Sequence, residues 1–182
     1  MPATFRRVRP ALRRFAKARG GATAVEFALI ATPFFLLMMG VIELSLAFLL
    51  STSLENATSE AARKIRTGEM QTKGGATATT FRNDVCASLG WLAADCPAKL
   101  AVDVRTFQTF ASVNMPSPVS NGTFNPGALM FQAGGPNDIV VVRAYYRWSL
   151  FTPLVGQAME QMNDGSMLVV STATFRNEPY GS

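Results

Sequence analysis

Histidine does not occur anywhere in the 182 residues. That absence excludes the Ser-His-Asp and Cys-His nucleophilic systems and every His-liganded metal site. A Gly-rich phosphate loop, a nucleophile elbow and a clustered acidic metal motif are missing as well, and Asp84, Asp95 and Asp103 are scattered without ligand spacing. Catalysis has no candidate residues, so neither an enzymatic activity nor a cofactor is expected. Cysteine is scarce: Cys86 and Cys96, both in "CASLGWLAADC", are the whole complement.

Acidic residues are missing from positions 1–19, which hold Arg6, Arg7, Arg9, Arg13, Arg14, Lys17 and Arg19. Removing these seven bases from the net charge of +5 leaves −2 for everything from Gly20 onward. The body of the chain is mildly acidic, so a nucleic-acid-binding reading loses its main support, and no nucleic-acid partner is expected. The basic excess belongs to a leader, residues 1–21, of the targeting kind.

Beyond the leader the chain is rich in what it has so far lacked. From Phe27 to Leu50 the residues are apolar apart from Thr32, Glu43 and Ser45, with Pro33 and Gly40 as the helix-weakening positions. As a helix this run rises roughly 36 Å, enough to cross a bilayer core of about 30 Å. Bases before it and no comparable cluster after it place the N-terminus in the cytoplasm and the remaining chain outside. In that setting Cys86 and Cys96 are placed to pair, and closing so short a loop is worth about 2.5–3 kcal/mol; two free buried thiols are the other reading. Leu50, Leu54, Ala57, Ala61 and Ile65 continue the helix with one apolar stripe, to about Thr67, and Gly68 is a plausible stop.

Residues 69–79 read as a linker, and "TTFRNDVCASLGWLAA" as a short helix with Phe81, Val85, Leu89 and Leu92 near helical spacing. "KLAVDVRTFQTF" alternates and predicts a strand. Residues 111–137 form a long loop, with Phe124, Leu129, Met130 and Phe131 suggesting that part of it packs. "DIVVVRAYYRWSL" is the strongest strand: Val140, Val142, Ala144, Tyr146 and Trp148 share one face, and Arg143, Tyr145 and Arg147 the other. That second face is either an aromatic-cationic binding surface or solvated charge over a sheet core. "FTPLVGQAMEQM" predicts a short helix, "NDG" a turn, and "SMLVVSTATFRN" a closing strand with Met167, Val169, Ala173 and Phe175 inward. The layout is α+β: a long transmembrane helix running into an outer domain, 69–182, with a small antiparallel sheet on which the helix stripe packs. The glycosylation patterns at Asn56 and Asn121 matter only in a eukaryotic secretory route and are read as chance.

The start of the apolar run carries the functional signal. Gly21, Ala22-Thr23-Ala24-Val25, Glu26 and Phe27 follow the basic leader in an order that resembles the processing site of type IV prepilins. Val25-Glu26-Phe27-Ala28, Pro33, the aliphatic run, Gly40 with Ile42-Glu43-Leu44, and "NATSEAARKI" resemble the TadE-like pseudopilins of the tight-adherence (Flp) pilus system, over roughly residues 19–66. The resemblance implies cleavage by a prepilin peptidase between Gly21 and Ala22. It also implies assembly through the mature helix with Flp pilin, other pseudopilins and inner-membrane platform proteins, in the bilayer of a bacterial inner membrane, with the outer domain periplasmic or carried into an extracellular pilus.

Within that frame Glu26 lies one helical turn from the amine that cleavage frees at Ala22, and can neutralise it or the amine of an adjacent subunit. The alternative is an interfacial carboxylate reaching water beside Arg19. Glu43 shares a helix face with Gly40 and Ala47, where another helix could approach. It either meets a basic or polar group on a partner, or is wet at the membrane boundary. Pro33 removes one backbone hydrogen bond and bends or stretches the helix. Two other fates share this sequence: an unprocessed anchored periplasmic scaffold, and a protein released by signal peptidase at "SLA", residues 45–47. The last fits poorly, because the apolar stretch before that site exceeds the roughly 7–15 residues of a signal-peptide core.

Overall fold

A computed structural model describes residues 21–90, 95–152 and 155–180. The chain divides into two compact units, Met1–Val41 and Ile42–Ser182. One helix, α1, runs through Ala22–Arg66, longer than any other element. In the first unit most of its large side chains are exposed, among them Val25, Phe27, Leu29, Ile30, Phe34, Phe35, Leu37 and Met39, while Ala31, Leu36 and Met38 are half-buried. A helix that exposes so many large apolar side chains differs from the mostly buried core helix of a soluble domain. By length and composition α1 is able to cross a membrane.

In the second unit the same helix turns amphipathic. Leu50, Leu54, Ala57, Ala61 and Ile65 are buried in one cluster with the sheet, while Glu55 and Glu60 are exposed. Burying each of the larger side chains is worth about 1.5–3 kcal/mol, and the alanines let the helix backbone approach the sheet closely. The sheet is three-stranded and antiparallel in the order β1-β4-β5, with β1 Leu100–Phe107, β4 Ile139–Ser149 and β5 Ser166–Arg176. Register pairs Val104 with Val142 and Ala144 with Ser171. Val102, Val104, Val140, Val142, Ala144 and Tyr146 form the face against the core; Val169 joins them, and Trp148, Met167, Ala173 and Phe175 pack at its margin.

Three short pieces differ from the sequence expectation. The presumed linker begins with a single helical turn, α2 (Glu69–Thr72), because Met70 fills the core and the Gln71 amide donates to the Ile65 and Ala133 carbonyls. The helix α3 is Ala78–Ser88, started by the Thr77 hydroxyl accepting the Thr80 N–H at 3.1 Å. Leu92 lies outside the described residues, as do positions 1–20. The turn α4, Cys96–Lys99, feeds β1, and Cys86 and Cys96 are joined by a disulfide with Cα atoms 5.6 Å apart. Inside the long loop sits a small hairpin, β2 (Val119–Ser120) with β3 (Thr123–Phe124), turned by Asn121 and Gly122 at φ 51° and 69°. The last helix, α5, covers Val155–Met159.

The end of α1 is closed by two devices. Gly68, at φ 74°, donates its N–H to the Ile65 carbonyl, a left-handed stop no other residue adopts as cheaply. The C-terminal strap crosses it: the Tyr180 ring occupies the space a Gly68 side chain would need, its hydroxyl donates to the Gly134 carbonyl, and buried Asn177 donates to the Ala133 and Gly135 carbonyls. Gly68→Ala is expected to lower the stability of the second unit by about 1–3 kcal/mol from backbone strain, before any displacement of Tyr180. A urea midpoint unchanged from wild type would refute it. Replacing both Cys86 and Cys96 by Ser should cost about 2.5–3 kcal/mol in the same assay, and an oxidised wild type no more stable than its reduced form would show that the crosslink contributes nothing.

Candidate functional site: the apolar helix and its two carboxylates

Gly21 immediately precedes α1. Its φ is not in the left-handed region, and nothing lies within 4 Å of where a side chain would begin. The described fold gives no reason for a glycine at this position. Ala22 opens the helix, and Glu26 and Phe27 are exposed one turn in. The first turn of a helix leaves its N–H groups unpaired and carries partial positive charge, so a carboxylate is favoured close to it. No ion pair to Glu26 forms among the described residues. Arg19, the other partner that sequence suggests for it, lies outside them. Pro33 sits within the helix, which continues through it; the preceding Thr32 hydroxyl donates to the Ala28 carbonyl at 2.9 Å. Gly40 is buried.

Glu43 is where structure and sequence part. Neither expected environment, a partner's polar group or water, describes it. The side chain is 0 % exposed, and its two oxygens accept the N–H groups of Phe151 at 2.7 Å and Thr152 at 3.0 Å. These two residues lie just past the end of β4, more than a hundred positions away in the chain. The carboxylate thus fastens the turn after β4 onto α1, one acceptor per donor. Charge-assisted bonds of this kind are stronger than neutral ones, and the low polarity around a buried group amplifies both their gain and the cost of losing them. Sequence carried no signal for the pairing, since the partners are backbone groups of residues with unremarkable side chains.

The second face of the sheet is covered by the long loop at Arg143 and Tyr145, while Arg147 is solvated charge as the alternation suggests. Tyr145 is buried, with the Phe124 ring of the small hairpin 5.7 Å from its own. Arg143 donates to the Met115 carbonyl and Arg105 to the Ala128 carbonyl. Asp103, 1 % exposed, accepts from Arg105 and from the Met130 N–H. These charges hold the long loop over the sheet. A cavity of about 480 Å³ remains at its edge, lined in part by Arg82, Lys99, Tyr145 and Arg147. Lys99 and Arg147 are already paired with Asp95 at 3.5 Å and Asp164 at 3.7 Å. The Ser166 hydroxyl and N–H hold the Asp164 carboxyl below its ordinary range, and burial pushes the Tyr146 hydroxyl above its own.

The fold and its helix define a class: an α+β domain led by an apolar helix able to anchor it in a membrane. Residues 21–63, most of α1 and the glycine before it, match the family model of TadE-like proteins. No curated protein and no solved structure matches the chain. Gly21, Glu26, Pro33, Gly40 and Glu43 all fall inside the matched segment, whereas Phe151 and Thr152, which engage Glu43, fall outside it.

Glu43→Gln keeps the shape but turns one acceptor into a donor facing a backbone N–H. The expected result is a loss of about 1–3 kcal/mol from the second unit, most of it the cost of the one N–H group left without an acceptor. Hydrogen exchange at the Phe151 and Thr152 amides checks the assignment directly: both should exchange faster in the variant, and unchanged protection would refute the bond.

Proposed function

We propose that this protein is a minor, pilin-like subunit of a tight-adherence pilus, structural rather than catalytic, cut by a prepilin peptidase after Gly21. The observation that carries the reading is the family match beginning at Gly21, joined to a helix that exposes large apolar side chains from Val25 to Met39. Gly21 supports the processing step in a second way: the fold makes no demand for glycine there, so the demand is better assigned to an enzyme that must thread the backbone through its site.

In this reading residues 1–21 stay cytoplasmic, α1 spans the inner membrane and the α+β domain lies in the periplasm, where Cys86 and Cys96 meet an oxidising compartment. After cleavage the amine of Ala22 and the carboxylate of Glu26 are one turn apart on the same helix, or are exchanged between neighbouring subunits as helices bundle. Flp pilin, other pseudopilins and the platform proteins of the inner membrane are the partners this arrangement serves. Phe27 and Pro33 lie on the surface where such helices would meet.

N-terminal sequencing of the protein from membranes with and without the peptidase tests it. A start at Ala22 that vanishes without the peptidase, and in Gly21→Ala, is the expected result. Because alanine meets nothing at position 21, the variant should keep wild-type stability while remaining uncut. An unchanged leader in the presence of active peptidase would replace a processed subunit with an anchored scaffold.

A further inference from the structure

The buried carboxylate of Glu43 has a consequence for where the bilayer ends. Beyond it, toward the domain, α1 continues to expose large apolar side chains: Leu44, Phe48 at 72 % and Leu49. The next charged residue is Glu55, which is exposed. Phe48 lies about 7–8 Å further along the axis than Glu43. A bilayer that covers Phe48 and Leu49 therefore also covers the level at which Phe151 and Thr152 meet the helix. Phe151 itself is 51 % exposed, and its N–H is held by Glu43.

We propose that the turn after β4, Leu150–Thr152, lies in the outer leaflet beside α1, with Phe151 facing lipid. This rests on the reading of α1 as a membrane span. Irregular backbone is excluded from hydrocarbon because unpaired N–H groups there cost several kcal/mol each. Here Glu43 accepts the N–H groups of Phe151 and Thr152, two of the groups that would bar entry. The same contact shields the carboxylate, which would otherwise be the costly charge in the span. Each group makes the other tolerable in lipid, and the flanking side chains Ile42, Leu44, Phe48 and Phe151 are of the kind the acyl region takes up. Were the membrane to stop short of Glu43, all of these would face water, a larger apolar surface than a soluble domain ordinarily shows. A second copy of the chain is the competing occupant, and the test separates it.

The full chain is reconstituted in vesicles of phosphatidylethanolamine and phosphatidylglycerol, carrying Phe151→Cys labelled with the environment-sensitive fluorophore NBD. A second sample carries the label at Leu37→Cys, in the middle of the exposed apolar helix. Cys86 and Cys96 are disulfide-bonded and take no label. Quenching at 151 by doxyl-labelled lipid comparable to that at 37, with protection from iodide, is the expected result. Quenching at 37 but iodide access at 151 would overturn the proposal and leave the span intact. A label at 151 protected from both quenchers would mean that protein covers the turn, which also overturns it. Failure at both positions would remove the membrane span and the proposal together.

Discussion

A carboxylate inside an apolar helix must find partners, and in this protein the search ends at Glu43. Its two oxygens take two backbone N–H groups from a turn that sequence places far away. This contact ties α1 to the segment that follows the central strand, and the Glu43 side chain in it is fully buried. Apolar packing below it, from Leu50 through Ile65, is non-directional and would tolerate sliding of the helix along the sheet. Two hydrogen bonds of fixed length do not. The contact sets the register at which the helix enters the domain, and the apolar stripe then follows at its own spacing.

The remainder of the domain is held by the same economy of means: few polar groups, each placed against backbone. Asp103, Arg105 and Arg143 hold the long loop on the outer sheet face, Asn177 and Tyr180 fasten the C-terminal strap across the end of α1, and the disulfide ties α3 to the entry of β1. Most of these side chains meet main-chain carbonyls or N–H groups rather than other side chains. Such contacts specify position strongly, because an unmatched backbone group in a buried place costs more than a matched one gains.

This pattern explains what could be read from the residues alone and what could not. The long helix, its stop at Gly68 and the stripe from Leu50 to Ile65 are periodic features, and periodicity is a local property. The central strand was legible for the same reason, since Val140, Val142, Ala144 and Tyr146 alternate toward one face. Tyr145 and its flanking arginines alternate equally well toward the other, but alternation does not say what covers a face, and a loop does. The hairpin at Asn121-Gly122 was readable in principle, because that dipeptide favours the positive φ both residues adopt; the same Asn-Gly-Thr stretch also matches a modification pattern. Glu43 was visible as an anomaly but its partners were not, since a backbone N–H leaves no mark on the residue that bears it.

The two glutamates of α1 face one physical problem and differ in where the solution lies. Glu43 is satisfied within the second unit, and 0 % of it remains available to anything else. Glu26 is exposed, on a helix whose neighbouring side chains are apolar, and no cation among the described residues is paired with it. Under the proposed processing, the amine freed at Ala22, on the same chain or on a neighbouring one, is the group that would meet this charge in lipid. A protein that needed only an anchor would gain nothing by keeping that carboxylate, because a residue such as Leu in its place costs nothing to insert. On the proposed reading this carboxylate is what would separate an assembling helix from a tether, since it sits at the end of α1 that cleavage after Gly21 would make new.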